Sequence, residues 1–190
     1  MKRKEIEKFT DEELAKEIAK TRDSEMFEEL YSRYEKIVYN KCFNFTTKNT
    51  EAEDLTQDIF LKLFLTISQF SGRSRFSTWF YSFTYNHCAN HVTRNQEYKI
   101  STQSQSIEDE YLLQEAEIDD EILMQLKYDR LEKALDEIQP HEKMILLLKY
   151  QDDTTIKELS EFFDIGESAV KMRLSRAKKQ LIDAYNLIVE

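Results

Sequence analysis

Apolar residues return at helical intervals through most of this chain, and the pattern breaks for any length only once. Phe27, Leu30, Tyr31, Tyr34 and Val38 share one face of a helix. A second helix is predicted from near Glu51, because EAEDLTQDIFLKLF places acids in its first turn, where the helix dipole favours them. Leu55, Ile59 and Leu63 form its inner row, while Asp54, Gln57, Asp58 and Leu61 fall toward other faces. Leu61 is an apolar residue beside a charged row: an ordinary exposed leucine, or a contact for a partner. A third helix carries SRFSTWFYSFTYNHCAN. Its spacing puts Phe80, Tyr81, Thr84, Tyr85, Cys88 and Val92 on a core face, and Ser82, Asn86, Asn90 and Thr93 in a polar row. Trp79 and Phe83 lie beside that row.

The C-terminal part is similarly periodic. Leu131, Ala134, Leu135 and Ile138 make an i, i+3, i+4, i+7 stripe, and Pro140 opens a helix whose run HEKMILLLKY predicts deep burial. Asp152 and Asp153 turn the chain. Thr155 with Glu158 three residues on is a capping box that starts a helix through Phe163. Asp164-Ile165-Gly166 is a tight turn, and a last helix starts near Glu167. Two short helices around a three-residue turn read as a helix-turn-helix. In the last helix Val170, Leu174, Ala177 and Leu181 face inward. Ser168, Met172, Ser175, Arg176 and Lys179 face outward, with Lys171, Arg173 and Lys178 on the flanks.

With 2 Gly and 1 Pro in 190 residues there is little material for tight turns, and the expectation is an all-α protein. The break in periodicity falls at about residues 96–122. STQSQS is polar, and from Ile100 to Ile122 there are eight acids and no Lys or Arg, so this stretch is read as a flexible, self-repelling linker. The predicted domains are therefore 1–95 and 123–190. No apolar run approaches the ~20 residues that span a membrane, and the N-terminal MKRKEIEKFTDEEL is charged throughout; the expected location is the cytoplasm, with Cys42 and Cys88 as reduced thiols and a regulatory disulfide between them as the minor alternative.

A formal net charge of −10 opposes free binding to nucleic acid, since affinity depends on neutralising phosphates. Any such role must be local or lent by a partner. Two stretches qualify. Between Lys171 and Lys179 there are five basic residues and no acid. In the aromatic stretch, Trp79 and Phe83 flank a line of amides, which suits an extruded base: rings to stack on and amides to read its edge. The basic loop Ser71-Gly72-Arg73-Ser74-Arg75 just ahead can approach a phosphate backbone.

These features, in this order, resemble a sigma factor of bacterial RNA polymerase, of the sigma-70 family and its compact extracytoplasmic-function (ECF) group. AEDLTQDIFLKLF resembles the polymerase-binding helix, FSGRSRFSTWFYSFTYNHCANHV the loop and helix that read the −10 element, and TIKELSEFFDIGESAVKMRLSRAKKQL the helix-turn-helix that reads the −35 element. The resemblance runs from about Asp23 to Leu187. It implies that domain 1–95 is sigma region 2, which melts the promoter, and that 123–190 is sigma region 4. It implies that Asp54, Gln57, Asp58 and Leu61 contact core polymerase at the clamp helices of β′, with the β subunit also a partner. Phe70, Gly72, Arg73, Ser74 and Arg75 would capture a flipped base, with Trp79, Asn86 and Asn90 supporting that pocket. Ser168, Lys171, Met172, Ser175 and Arg176 would meet the major groove of promoter DNA, and Arg173, Lys178 and Lys179 its phosphates. An anti-sigma factor, where one exists, would cover the polymerase-facing and basic helices.

The chain departs from the family at Asp164, where relatives carry Gly, at Met172, and at Ser82, Tyr85 and Thr93, where they carry arginines. Two alternatives stand beside this reading: a stand-alone helix-turn-helix regulator, which leaves the aromatic stretch unexplained, and a sigma-like decoy, against which the basic last helix argues. An enzyme is not expected, nor is a cofactor or a metal. His87, Cys88 and His91 offer at most three zinc ligands, and no nucleophile–base pair or phosphate-cradling glycine loop accompanies them.

Overall fold

The structure, a computed structural model, describes residues 3–46, 48–100, 120, 123 and 126–188. All regular elements among them are helical. The chain divides into two compact units, Met1–Cys88 and Ala89–Glu190. The dividing point lies inside a helix that continues to Ile100, five residues into the segment expected to be a linker. Most of the remainder of that segment lies outside the described residues.

The first unit contains α1 (Arg3–Ile6), α2 (Asp11–Thr21), α3 (Ser24–Phe43), α4 (Asn49–Thr66), a 3-10 turn (Ile67–Gln69) and the start of α5 (Phe76–Ile100). The first two helices were not foreseen, although α2 announces itself. Thr10 and Glu13 form a reciprocal capping box, with Glu13 Oε2 accepting from Thr10 N at 2.8 Å. Leu14, Ala15 and Ile18 follow as its buried side. On α3, Leu30, Tyr34, Val38 and Cys42 are buried; on α4, Ala52, Leu55, Ile59, Phe60 and Leu63 meet them. The predicted inner row Leu55, Ile59 and Leu63 is therefore core.

Aromatic rings fill the space between α3 and α5. The Tyr34 ring lies 5.6 Å from Phe76 and 5.4 Å from Phe80, both edge-on, and its hydroxyl donates to Asp11 Oδ2 at 2.5 Å. The other Asp11 oxygen takes Arg33 at 2.7 Å, and Arg33 also reaches Glu29 and the carbonyls of Glu7 and Phe9. Burial, then the Asp11 carboxylate, raises the Tyr34 phenol well above its ordinary value.

Helix α2 also fastens the two helices that follow α3. Arg22, left-handed at φ 56°, ends α2 and donates its guanidinium to the carbonyls of Phe64 and Leu65 at the C-terminal end of α4. Glu12 Oε1 accepts from the Phe76 N–H at 2.8 Å, supplying the N-terminal cap of α5 from a distant helix. The 3-10 turn packs on α2 between these two anchor points.

The second unit contains α6 (Tyr128–Glu137), α7 (Pro140–Leu146, continued by a π turn Leu147–Gln151), α8 (Ile156–Phe163) and α9 (Glu167–Leu187). Helix α9 packs on the other three, through the predicted stripe Val170, Leu174, Ala177 and Leu181. Pro140 begins α7, and Met144, Ile145, Leu146 and Leu148 are buried as expected of that apolar run. The Thr155–Glu158 capping box forms. Asp164 adopts φ 52°, ψ 44°, the left-handed conformation that an aspartate tolerates in place of glycine. Ser160 closes the turn by donating to the Ile165 carbonyl at 2.5 Å. At the far end of α9, Arg130 donates to the Tyr185 carbonyl at 2.7 Å and lies over its ring.

The cap on α5 gives a direct test. Replacing Glu12 by Ala leaves the part-buried Phe76 N–H without its partner. The expected cost is about 1–2 kcal/mol in urea-induced unfolding of the first unit. An unchanged midpoint would mean that solvent serves that amide equally well.

Candidate nucleic-acid interface

Three surfaces carry the residues singled out in the sequence. The first is on α4. With Leu55, Ile59 and Leu63 turned inward, Asp54, Gln57, Asp58 and Leu61 are all exposed on the opposite side. Leu61 is 59% exposed, and Leu65, one turn further on, is 61% exposed. Sequence reasoning missed Leu65, though its i+4 spacing from Leu61 extends the same stripe. Two neighbouring leucines in water on a helix whose other apolar residues are largely buried form a small apolar ledge beside two carboxylates.

The second surface is the connection into α5. Gly72 sits at φ 74°, and a Cβ there would meet nothing within 4 Å, so it is the backbone conformation that calls for glycine. Arg73 and Arg75 are exposed, while Ser74 is half-buried. Phe70 rests edge-on against Phe76 at 5.4 Å and tilts against Trp79, also at 5.4 Å. Trp79 stacks on Phe83 at 5.6 Å with 26° between the rings. Phe70, Trp79 and Phe83 thus make a half-buried aromatic strip that leads away from the loop.

The expected polar row of four on α5 needs correcting. Asn86 and Asn90 are exposed, but Ser82 is 1% exposed and Thr93 is half-buried. Each hydroxyl turns back on its own helix, Ser82 donating to the Thr78 carbonyl and Thr93 to that of Ala89, both at 2.9 Å. A hydroxyl satisfied in this way can enter the core, which periodicity alone does not reveal. The expected core face is otherwise kept by Phe80, Thr84, Tyr85 and Cys88, with Tyr81 and Val92 half-buried.

The histidines flanking Cys88 do not converge with it. His87 Nδ1 meets Lys62 Nζ at 3.1 Å, while Cys88 is buried against Cys42. Among the described residues there is no group of three or more His, Cys, Asp or Glu that could hold a metal ion.

The third surface is α9. Ser168, Lys171, Met172, Arg173, Arg176 and Lys179 are exposed, and Ser175 is half-buried. Met172 is 63% exposed, an apolar side chain in the middle of a basic face. Arg173, Arg176 and Lys178 have partners within their own unit. The Arg173 guanidinium lies 5.5 Å from the Phe163 ring. Arg176 Nε donates to Glu142 at 2.9 Å. Lys178, with its side chain only 14% exposed, pairs with Asp120, which also accepts from the Tyr150 hydroxyl at 2.6 Å. Lys178, and secondly Tyr150, hold the Asp120 carboxyl below its ordinary value, while burial and then that carboxylate raise the Tyr150 phenol.

Comparison with known proteins accounts for both units. The family profile described as Sigma-70 region 2 matches residues 30–98, and that described as Sigma-70, region 4 matches residues 128–181. The ECF RNA polymerase sigma factor SigW of Bacillus subtilis is 22% identical over 170 residues, covering 84% of this chain and 88% of that protein. RNA polymerase sigma factor YlaC of the same organism is 27% identical over 164 residues, covering 85% and 92%. Among solved structures, the sigma factor RpoE in complex with the anti-sigma factor NepR, from Bartonella quintana, shares the fold at TM-score 0.56 with 16% identity. That likeness covers 86% of this chain and 98% of RpoE. CnrH in complex with the cytosolic domain of CnrY also gives TM-score 0.56, at 14% identity, covering 93% and 97%. An all-helical protein with a helix-turn-helix and two sigma-type regions in this order defines a transcription-initiation factor. The chain belongs to the sigma-70 family of RNA polymerase sigma factors, in the ECF group.

The Lys178–Asp120 pair has a pH signature. A carboxyl with a lowered value in the folded state contributes stability above its unfolded value and loses it as pH falls through the folded one. Exchanging Lys178 for Met should therefore move the Asp120 titration, followed by carboxyl-carbon NMR, upward toward the ordinary carboxylate range, with the Tyr150 hydroxyl still holding it down in part. An Asp120 signal that titrates identically in both proteins would show that the pair does not form in solution.

Proposed function

We propose that this sigma factor acts purely by binding, in the cytoplasm and with no reaction of its own. It docks on core RNA polymerase through α4, opens the −10 element with the loop into α5, and reads the −35 element with α9. The observation that carries this reading is the division of exposed chemistry in a chain of net charge −10. Carboxylates and leucines stand together on α4, and cations gather on the outer side of the second helix of a helix-turn-helix. An acidic ledge with an apolar edge suits a basic or amphipathic helical partner, here the clamp helices of β′. The basic face of α9 suits the major groove, with Lys171, Met172, Ser175 and Arg176 nearest the bases and Arg173, Lys178 and Lys179 nearest phosphates.

Delegating attachment to polymerase explains how an acidic protein reaches DNA at all. Once the enzyme holds it on a promoter, a few local cations suffice, and phosphate repulsion of the whole chain no longer decides affinity. In the first unit, the aromatic strip Phe70–Trp79–Phe83 offers a stacking surface and Arg73 and Arg75 neutralise backbone phosphates around an unpaired base. Residues 1–95 and 123–190 are the corresponding functional domains in this reading. The solved structure of similar fold bound to an anti-sigma factor favours a further partner of that kind, which would cover the exposed residues of α4 and those of α9.

The test is reconstitution with purified core polymerase and a library of upstream sequences, scored by pull-down and run-off transcription. Stable association plus initiation from one pair of elements is expected; DNA binding without any association with polymerase would instead indicate a stand-alone regulator. Reversing one charge, Asp58→Arg, should abolish association while leaving the melting temperature in place, since Asp58 is exposed. Lys171→Ala should cost about 1–3 kcal/mol on the preferred −35 sequence and little on others if it reads a base. It is a cleaner probe than Arg176, whose removal would strand the buried Glu142.

A further inference from the structure

Cys42 on α3 and Cys88 on α5 are 46 positions apart in sequence and are both fully buried as free thiols. The fold brings their sulfurs to 3.8 Å, with the Cys88 thiol donating to Cys42. Thr56 of α4, buried with its hydroxyl donating to the Ala52 carbonyl at 2.7 Å, lies close enough to Cys42 to influence it, so three helices converge on this dithiol. We propose that Cys42 and Cys88 form a modification site: a small hydroperoxide oxidises them to an intramolecular disulfide joining α3 to α5.

The reasoning is geometric. A disulfide needs sulfurs about 2.05 Å apart, so closure asks for about 1.8 Å of relative movement, which side-chain rotation and a slight shift of the helices can supply. Complete burial excludes glutathione-sized disulfides and leaves a reagent not much larger than water. The two sulfurs are also unequal. Donation from Cys88, opposed by burial and joined by Thr56, lowers the Cys42 thiol, while sharing its proton with Cys42 and its own burial raise Cys88. The positive charge of nearby Lys41, itself buried over the rings of Tyr81 and Tyr85, works in the opposite sense on Cys88. One sulfur is thus suited to attack and the other to resolve.

The chemistry balances with hydrogen peroxide as the oxidant. The Cys42 sulfur attacks one peroxide oxygen, the O–O bond breaks, and the departing hydroxide takes the Cys42 proton to become water, leaving a sulfenic acid. Cys88 then attacks the Cys42 sulfur; the S–O bond breaks and the hydroxide leaves with the Cys88 proton as a second water. The two thiols lose two electrons in total, and the peroxide gains them. The resulting bond would tie α5, the helix assigned to strand opening, to α3 beneath Asn86. The oxidation itself does not depend on that assignment.

The experiment treats the full-length protein with hydrogen peroxide near neutral pH, denatures it in an alkylating agent, and reads intact mass and peptide map. The expected result is loss of two hydrogens, no alkylation, and a crosslinked peptide pair containing Cys42 and Cys88 that a dithiol reductant separates. The oxidised protein should also unfold at higher urea, because the bond closes a loop of about 46 residues in the unfolded chain. In Cys88→Ser the reaction should stop at a Cys42 sulfenic acid, trapped when the protein is unfolded in dimedone because the folded site is closed to so large a reagent; the variant remains informative because serine is nearly isosteric. Two alkylated cysteines after exposure that fully oxidises a model dithiol would overturn the proposal, as would a crosslink found only between separate chains.

Discussion

The carboxylate of Asp11 is the point from which the first unit is organised. One oxygen accepts the Tyr34 hydroxyl and the other holds Arg33. Without that acceptor the phenol would enter the aromatic core with its hydroxyl unpaired, at a cost of about 1–3 kcal/mol. With it, Tyr34 can stand between α2 and α5, its ring edge-on to Phe76 and Phe80. The position of α5 follows from that packing, and the positions of Trp79 and Asn86 follow from α5. A polar contact of the N-terminal helices therefore determines where the rings of the proposed melting surface lie.

Charge is handled in each unit by pairing what is structural and exposing what is available to partners. In the first unit Arg33 is spent on Asp11 and Glu29, whereas Asp54 and Asp58 remain on the surface. In the second, Arg176 and Lys178 lean on Glu142 and Asp120, which keeps the cations of α9 ordered on an acidic protein. Because Glu142 and Lys178 are themselves largely buried, giving up either pair for phosphate has a cost that is met only where the DNA is delivered at high local concentration.

Much of this was legible in the chain. The inner rows of α4 and α9, the capping box at Thr155 and the turn at Asp164 follow from spacing and local backbone chemistry, which are read over a few residues. Leu61 could be identified as anomalous because it is an apolar residue beside the charged row of Asp54 and Asp58. What escaped was settled by tertiary partners. Ser82 is buried because its hydroxyl finds a carbonyl on its own helix; Glu12 acquires its role only because α5 begins beside it. Cys42 and Cys88 carry no local sign that they meet. Helix α2 is a different case: its capping box and its Leu14–Ala15–Ile18 face were present in the sequence, hidden within a run dominated by charge.

Glu12 and Arg22 together make the stretch between α4 and α5 a short bridge between two fixed posts. Its ends are set by α2, and Ile67 and Phe70 pack into the core, so the mostly exposed tip from Ser71 to Arg75 contributes little to holding the helices together. Gly72 keeps its required backbone geometry with open space around it, and Arg73 and Arg75 point into solvent. Such a segment can change its side chains without loosening the frame that presents them. If the loop reads promoter sequence as proposed, its preference can drift over evolutionary time independently of stability, as wording can change on a sign whose posts stay in the ground.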